Sequence, residues 1–164
     1  GVVRNQMLGS LDLVATRESK SHLEEVMFGL YNHPRLKILL VDTPLTDSFA
    51  TSLRSLLQCN SSIEHLVLGL YLEVNVLRAG ETSPTIAPIL AGLACNKGIM
   101  RFRLSGARGS MPFCASAWKE MLETNTTMKV LDLSTKKTIS FVAIPSTAPN
   151  LDTSRLVPSP KVYA

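Results

Sequence analysis

Apolar residues fall in the spacing Φ-x-x-Φ-x-Φ five times along the chain, at Leu8/Leu11/Leu13, Leu36/Leu39/Val41, Ile63/Leu66/Leu68, Ile99/Phe102/Leu104 and Met128/Leu131/Leu133. An asparagine stands three or four positions before each phrase: Asn5, Asn32, Asn60, Asn96 and Asn125. The first apolar positions recur at intervals of 28, 27, 36 and 29 residues, the mark of a repeat architecture with one insertion. Each phrase ends in the alternation of a strand with one buried face, so each unit contributes one strand.

The segments between the phrases change period from about 2 to about 3.6 and read as helices. Residues 19–31 place Leu23, Val26, Met27 and Leu30 on one face, and residues 47–60 do the same with Phe49, Ala50, Leu53, Leu56 and Leu57. Residues 84–95 supply Ile86, Ile89, Leu90 and Leu93, and residues 115–124 supply Ala115, Trp118, Met121 and Leu122. Asp47 or Ser48 suits the N-cap of the second helix. Pro84 suits the first turn of the third, with Pro88 inside that turn or kinking it. The asparagine after each helix fits a C-terminal position in the left-handed conformation. Neighbouring parallel strands need a crossover of this kind, so the pattern predicts an α/β solenoid, with a curved parallel sheet inside and helices outside, over residues 1–134.

Two regions depart from the pattern. An insertion near 70–83 lengthens the third unit and reads as a loop on one rim. Ile139/Val142/Ile144 repeat the strand phrase only 11 residues after Met128. The five residues 134–138 are too few for a parallel crossover, which leaves a reversed terminal strand or an unpaired extension. Residues 135–164 therefore read as an irregular terminal strand and a Pro/Ser-rich tail.

Composition narrows the chemistry. The chain is 45% hydrophobic but only 5% aromatic, which implies an aliphatic core. Cys59 and Cys95 share one repeat position and, with Cys114, read as small buried hydrophobes rather than a disulfide framework. His22, His33 and His65 are isolated in sequence, so no metal site and no cofactor are expected. The turn Gly106-Ala107-Arg108-Gly109 lacks the lysine and hydroxyl of a phosphate loop, and no nucleophile–base spacing occurs; the chain does not read as an enzyme. Trp118 falls on the apolar stripe of its helix. The net charge of +4 is scattered without interleaved aromatics, which argues against nucleic acid as a partner. Asn60-Ser61-Ser62 and Asn125-Thr126-Thr127 match the glycosylation pattern but sit at repeat junctions behind no secretion signal, and both are discounted.

The units resemble the ribonuclease-inhibitor-like class of leucine-rich repeats. The closest likeness is to the CARMIL family of capping protein, Arp2/3 and myosin-I linkers, in which a short unit is followed by a unit with a long insertion, then N-T-(S/T)-Φ-x-x-Φ-D-Φ, and a closing strand T-Φ-x-F-Φ-x-Φ-P. This chain has Asn60-Ser61-Ser62-Ile63-Glu64-His65-Leu66-Val67-Leu68, its insertion, Asn125-Thr126-Thr127-Met128-Lys129-Val130-Leu131-Asp132-Leu133, and Thr138-Ile139-Ser140-Phe141-Val142-Ala143-Ile144-Pro145. The position three after each strand, often Asn in such repeats, is Thr16, Pro44, Tyr71, Ala107 or Lys136, so no asparagine ladder is expected. The resemblance implies a non-catalytic protein-binding scaffold in a regulator of actin filament assembly, cytoplasmic and associated with the cortex and plasma membrane through other domains. The alternative is the ligand-recognition domain of an innate immune sensor or inhibitor-type protein.

Residues between the core positions of each strand face away from the helices. One column reads Ser10, Ile38, His65, Arg101, Val130 and the next Asp12, Leu40, Val67, Arg103, Asp132. Ile38, Leu40, His65, Val67, Arg101 and Arg103 are the candidate partner-binding residues, an apolar centre edged by arginine on the concave face. Gly1-Val2-Val3 runs almost directly into the first strand phrase, which suggests a segment of a larger protein with an open end and a tendency to self-associate.

Overall fold

The computed structural model describes residues 7–15, 20–71, 85–105, 114–134 and 142–143. Asn5, most of the 70–83 insertion, the 106–109 turn and the tail beyond residue 143 lie outside the described residues.

Strands and helices alternate: β1 (Ser10–Val14), α1 (Lys20–Gly29), β2 (Ile38–Pro44), α2 (Asp47–Cys59), β3 (His65–Tyr71), α3 (Ala87–Cys95), β4 (Arg101–Ser105), α4 (Ala115–Thr124), β5 (Val130–Ser134) and the two-residue β6 (Val142–Ala143). The fold is mixed α/β. The sheet runs in chain order, with β1 to β5 parallel and β6 antiparallel to β5. A helix lies between the strands of each parallel pair, whereas the antiparallel β6 begins too few residues after β5 for a parallel crossover.

Consecutive helices pack on one another and form a second layer. Leu39, Val41, Leu66, Leu68, Phe102 and Leu131 of the strands share one continuous core with Met27, Leu53, Leu57, Ile89, Leu93 and Met121 of the helices. Trp118 closes that core, 7% exposed, with its ring 6.5 Å from Phe102 in a stacked arrangement. Residues whose apolar stripe dictates a helix are thus the ones buried against the strands. Each fully buried leucine contributes about 2 kcal/mol of transfer free energy.

Several local expectations are corrected. Thr46, not Asp47 or Ser48, caps α2, its Oγ1 accepting from Phe49 N–H at 3.2 Å. Pro88, by contrast, lies in the first turn of α3 as expected, where its missing N–H costs nothing. Cys59 and Cys95 are exposed, because the residue before each junction asparagine turns away from the core as that asparagine turns in. Ala115 and Leu122 are exposed on α4.

The largest correction concerns the asparagines. They do not adopt left-handed backbone: Asn60 (φ −99°, ψ 119°), Asn96 (φ −72°, ψ 136°) and Asn125 (φ −76°, ψ 118°) are extended. Their selection rests on the side chain, which builds a buried ladder before the strands, a place distinct from the position three after each strand where the sequence offers no asparagine. Asn96 Nδ2 donates to Leu57 O (2.6 Å) and Asn60 O (2.9 Å), while its Oδ1 accepts from Gly98 N–H (2.9 Å) and Ile99 N–H (2.7 Å). Asn125 repeats this with Leu93 O and Asn96 O, and with Thr127 N–H and Met128 N–H. Asn60 does the same with Leu30 O and His33 O, and with Ser62 N–H and Ile63 N–H. Each carboxamide therefore satisfies carbonyls at the end of the preceding helix together with the amides that open its own strand, groups otherwise orphaned in the interior.

In the second unit the rung residue is His33, not Asn32. His33 is buried (4% exposed) and its Nδ1 accepts Leu36 N–H at 3.1 Å, the bond that Oδ1 makes three residues before Ile63, Ile99 and Met128. Asn32 is exposed. Hydroxyls two residues after the rung add a second tie: Ser62 Oγ donates to His33 O and Leu36 O, and Thr127 Oγ1 to Asn96 O and Ile99 O. At the corresponding place Gly98 has no side chain, and a Cβ there would stand 2.2 Å from Ser61 O.

Candidate functional site

Strand register turns the two sequence columns into physical rows. Ser10, Ile38, His65, Arg101 and Val130 are consecutive cross-strand partners, as are Asp12, Leu40, Val67, Arg103 and Asp132. All lie on the face away from the helices, since their neighbours Leu39, Val41, Leu66, Leu68 and Phe102 are buried beneath them. Ile38, Leu40, His65 and Val67 are half-buried and mutually adjacent, while Arg101 and Arg103 are exposed. The six candidate residues thus occupy one contiguous area.

Their electrostatics differ from the simple picture of two arginines flanking an apolar centre. Arg103 Nε donates to Asp132 Oδ2 at 2.7 Å and its Nη2 lies 2.7 Å from the same oxygen, which neutralises that edge. Arg101 makes no salt bridge among the described residues. Asp12 and Asp42, both exposed, place negative charge on the β1–β2 side. The face runs from acidic through apolar to basic.

A second ion pair, not anticipated from sequence, sits at the strand entrances. Lys37 Nζ lies 2.6 Å from Glu64 Oε1. The lysine hydrogen bond holds the Glu64 carboxyl below its usual value despite some desolvation, and the charges of Lys37 and His65 act in the same direction. Lys37 and Glu64 stand 27 residues apart, one repeat interval, and that spacing was the signal that could have revealed them. At the far rim, Tyr71 OH donates to Ala15 O at 3.4 Å, two strands away.

On the helix side a groove of about 350 Å³ runs over the small side chains of α3, among them Ala87, Ala91 and Ala94, with Arg54 on one wall and Ala117 and Glu120 on the other. Among the described residues no cluster of three or more His, Cys, Asp or Glu could hold a metal ion, and no helix is long and apolar enough to cross a membrane. No protein-family model and no curated protein matches the chain.

Proposed function

We propose that the protein is a leucine-rich-repeat solenoid acting as a non-catalytic protein-binding scaffold in the regulation of actin filament assembly, and that it binds through the sheet face. The observation that carries the binding reading is the register that gathers half-buried Ile38, Leu40 and Val67 beside Arg101, which makes no salt bridge among the described residues. An apolar centre with an arginine at its edge is the composition of interaction surfaces, where a few such residues dominate affinity. Support for the solenoid is the repeated rung, with strand, helix and ladder residue recurring in order. The actin assignment rests on the CARMIL-like order of motifs alone.

Quantitative affinity capture from cell extract tests both parts, with the full chain, Leu40→Asp and Arg101→Glu as baits and circular dichroism to verify folding. Actin-assembly proteins are expected with the native chain and are lost from both variants. Equal recovery by the folded variants excludes this face, and face-dependent partners unrelated to actin exclude the actin assignment.

A further inference from the structure

Two of the asparagine rungs have a second identity in the sequence. Asn60-Ser61-Ser62 and Asn125-Thr126-Thr127 are the places where Asn-x-Ser/Thr occurs in the chain. An acceptor of N-glycosylation belongs on an exposed loop, because the sugar it receives is bulky and hydrated. Here both acceptors are interior, Asn60 at 4% exposed and Asn125 at 6%. Asn96 is followed by Lys97-Gly98 and lacks the pattern.

The atom that would accept the sugar is the one the ladder uses. Asn60 Nδ2 gives its hydrogens to Leu30 O (2.8 Å) and His33 O (3.2 Å), and Asn125 Nδ2 gives its own to Leu93 O (2.6 Å) and Asn96 O (3.2 Å). In transfer from a lipid-linked oligosaccharide, Nδ2 bonds to C1 of the sugar, the bond from C1 to the lipid diphosphate oxygen breaks, and Nδ2 gives up one proton. A glycosylated rung keeps one hydrogen for two buried carbonyls. Its sugar ring would have to stand where a carbonyl of the preceding unit packs. The hydroxyl that completes each acceptor pattern is committed to the same junction, Ser62 Oγ 2.6 Å from His33 O and Thr127 Oγ1 3.3 Å from Asn96 O.

We infer that N-glycosylation at Asn60 or Asn125 and this fold exclude one another, so that the chain folds as described only where no oligosaccharide transfer acts on it. The constraint on compartment is built into the ladder and owes nothing to a targeting segment. The chain also supplies a control. Its second rung, His33, is followed by Pro34, and proline in the middle of Asn-x-Ser/Thr abolishes acceptance. Asn60 (ψ 119°) and Asn125 (ψ 118°) already hold the extended backbone required before proline, and Ser61 and Thr126 are exposed. Ser61→Pro with Thr126→Pro therefore removes both patterns and leaves the ladder side chains in place.

Expression of the full chain in cultured animal cells, with and without a cleavable signal peptide for the endoplasmic reticulum, tests the inference. The targeted arm includes the native chain, the native chain under an inhibitor of lipid-linked oligosaccharide synthesis, and the double proline variant. Glycosidase-sensitive mass and limited proteolysis are the readouts. The untargeted native chain is expected to resist protease, and the targeted native chain to carry glycan and be digested at least about a hundredfold faster. The inhibitor and the double variant each restore resistance without glycan. A chain that carries glycan at Asn60 or Asn125 and resists protease as the untargeted chain does overturns the inference. So does a targeted native chain that folds without acquiring glycan. Continued sensitivity in both the inhibitor and the variant arms overturns it as well, since the compartment rather than the sugar then prevents folding.

Discussion

At the residue scale the decisive chemistry is the carboxamide, which donates twice and accepts twice where a helix ends and a strand begins. Asn96→Ala removes four hydrogen bonds and leaves buried carbonyls and amides unpaired, an expected loss of about 3 kcal/mol in urea denaturation. Asn32→Ala touches no rung and should change stability by less than about 0.5 kcal/mol. His33 takes over the accepting role of the asparagine through Nδ1, which leaves the proton of the neutral ring on Nε2. His33→Asn is expected to preserve stability, whereas His33→Ala costs about 1–3 kcal/mol; equal losses for both would remove His33 from the ladder. The Glu64 carboxyl, held low mainly by the Lys37 hydrogen bond, yields a pH signature of known sign. A depressed folded pKa means the pair contributes above the ordinary carboxylate range and loses its contribution as pH falls through the lowered value. The melting-temperature difference between the native chain and Lys37→Met should accordingly shrink in acid, and a difference that stays constant would dissociate Glu64 from Lys37.

At the element scale, periodicity located α2 and α4 to within a residue because apolar residues recur in them at helical spacing, five buried in α2 and Trp118 and Met121 in α4, and each ends at a junction asparagine. Strand ends were less legible. β2 and β3 run on to Pro44 and Tyr71 because each supplies the other's pairing, with Leu70 fully buried beneath, and pairing partners are invisible in a linear pattern. The same limit hid the difference between Leu93 and Leu122, which look identical on a helical wheel. Leu93→Ala should cost about 2–5 kcal/mol, as for other buried leucines, while Leu122→Ala should cost under about 1 kcal/mol. Gly98 belongs to this scale too, since the α3–β4 junction passes so near Ser61 that no Cβ fits. Gly98→Ala should lower the melting temperature by more than Gly9→Ala, whose Cβ would meet nothing within 4 Å.

At the scale of the whole molecule, units connected only to their neighbours gain stability from unit-to-unit contacts, and the outermost units have one such contact fewer. Hydrogen exchange should therefore find the slowest amides in β3 and β4, paired on both sides, and faster exchange in β1, which pairs with β2 alone among the described residues. Uniform protection from β1 to β4 would instead describe a single cooperative block. On the sheet face the two rows run unbroken from β1 to β5.

Repeat period, strand and helix order, the parallel sheet, the two facing columns and the exclusion of a sixth parallel strand all follow from the sequence by itself, because they depend on spacing along the chain and on how many residues a crossover needs; that the last strand pairs antiparallel rather than hanging free came from the structure. Tertiary structure alone decided that His33 replaces Asn32 in the ladder, that Arg103 is neutralised by Asp132 while Arg101 makes no salt bridge among the described residues, and that Leu122 is bare where Leu93 is covered. Arg103 and Asp132 stand 29 residues apart in sequence but on neighbouring strands, Asn60 reaches His33 O across 27 residues, and only the packing of one unit on the next brings such groups within reach of an ion pair or a hydrogen bond.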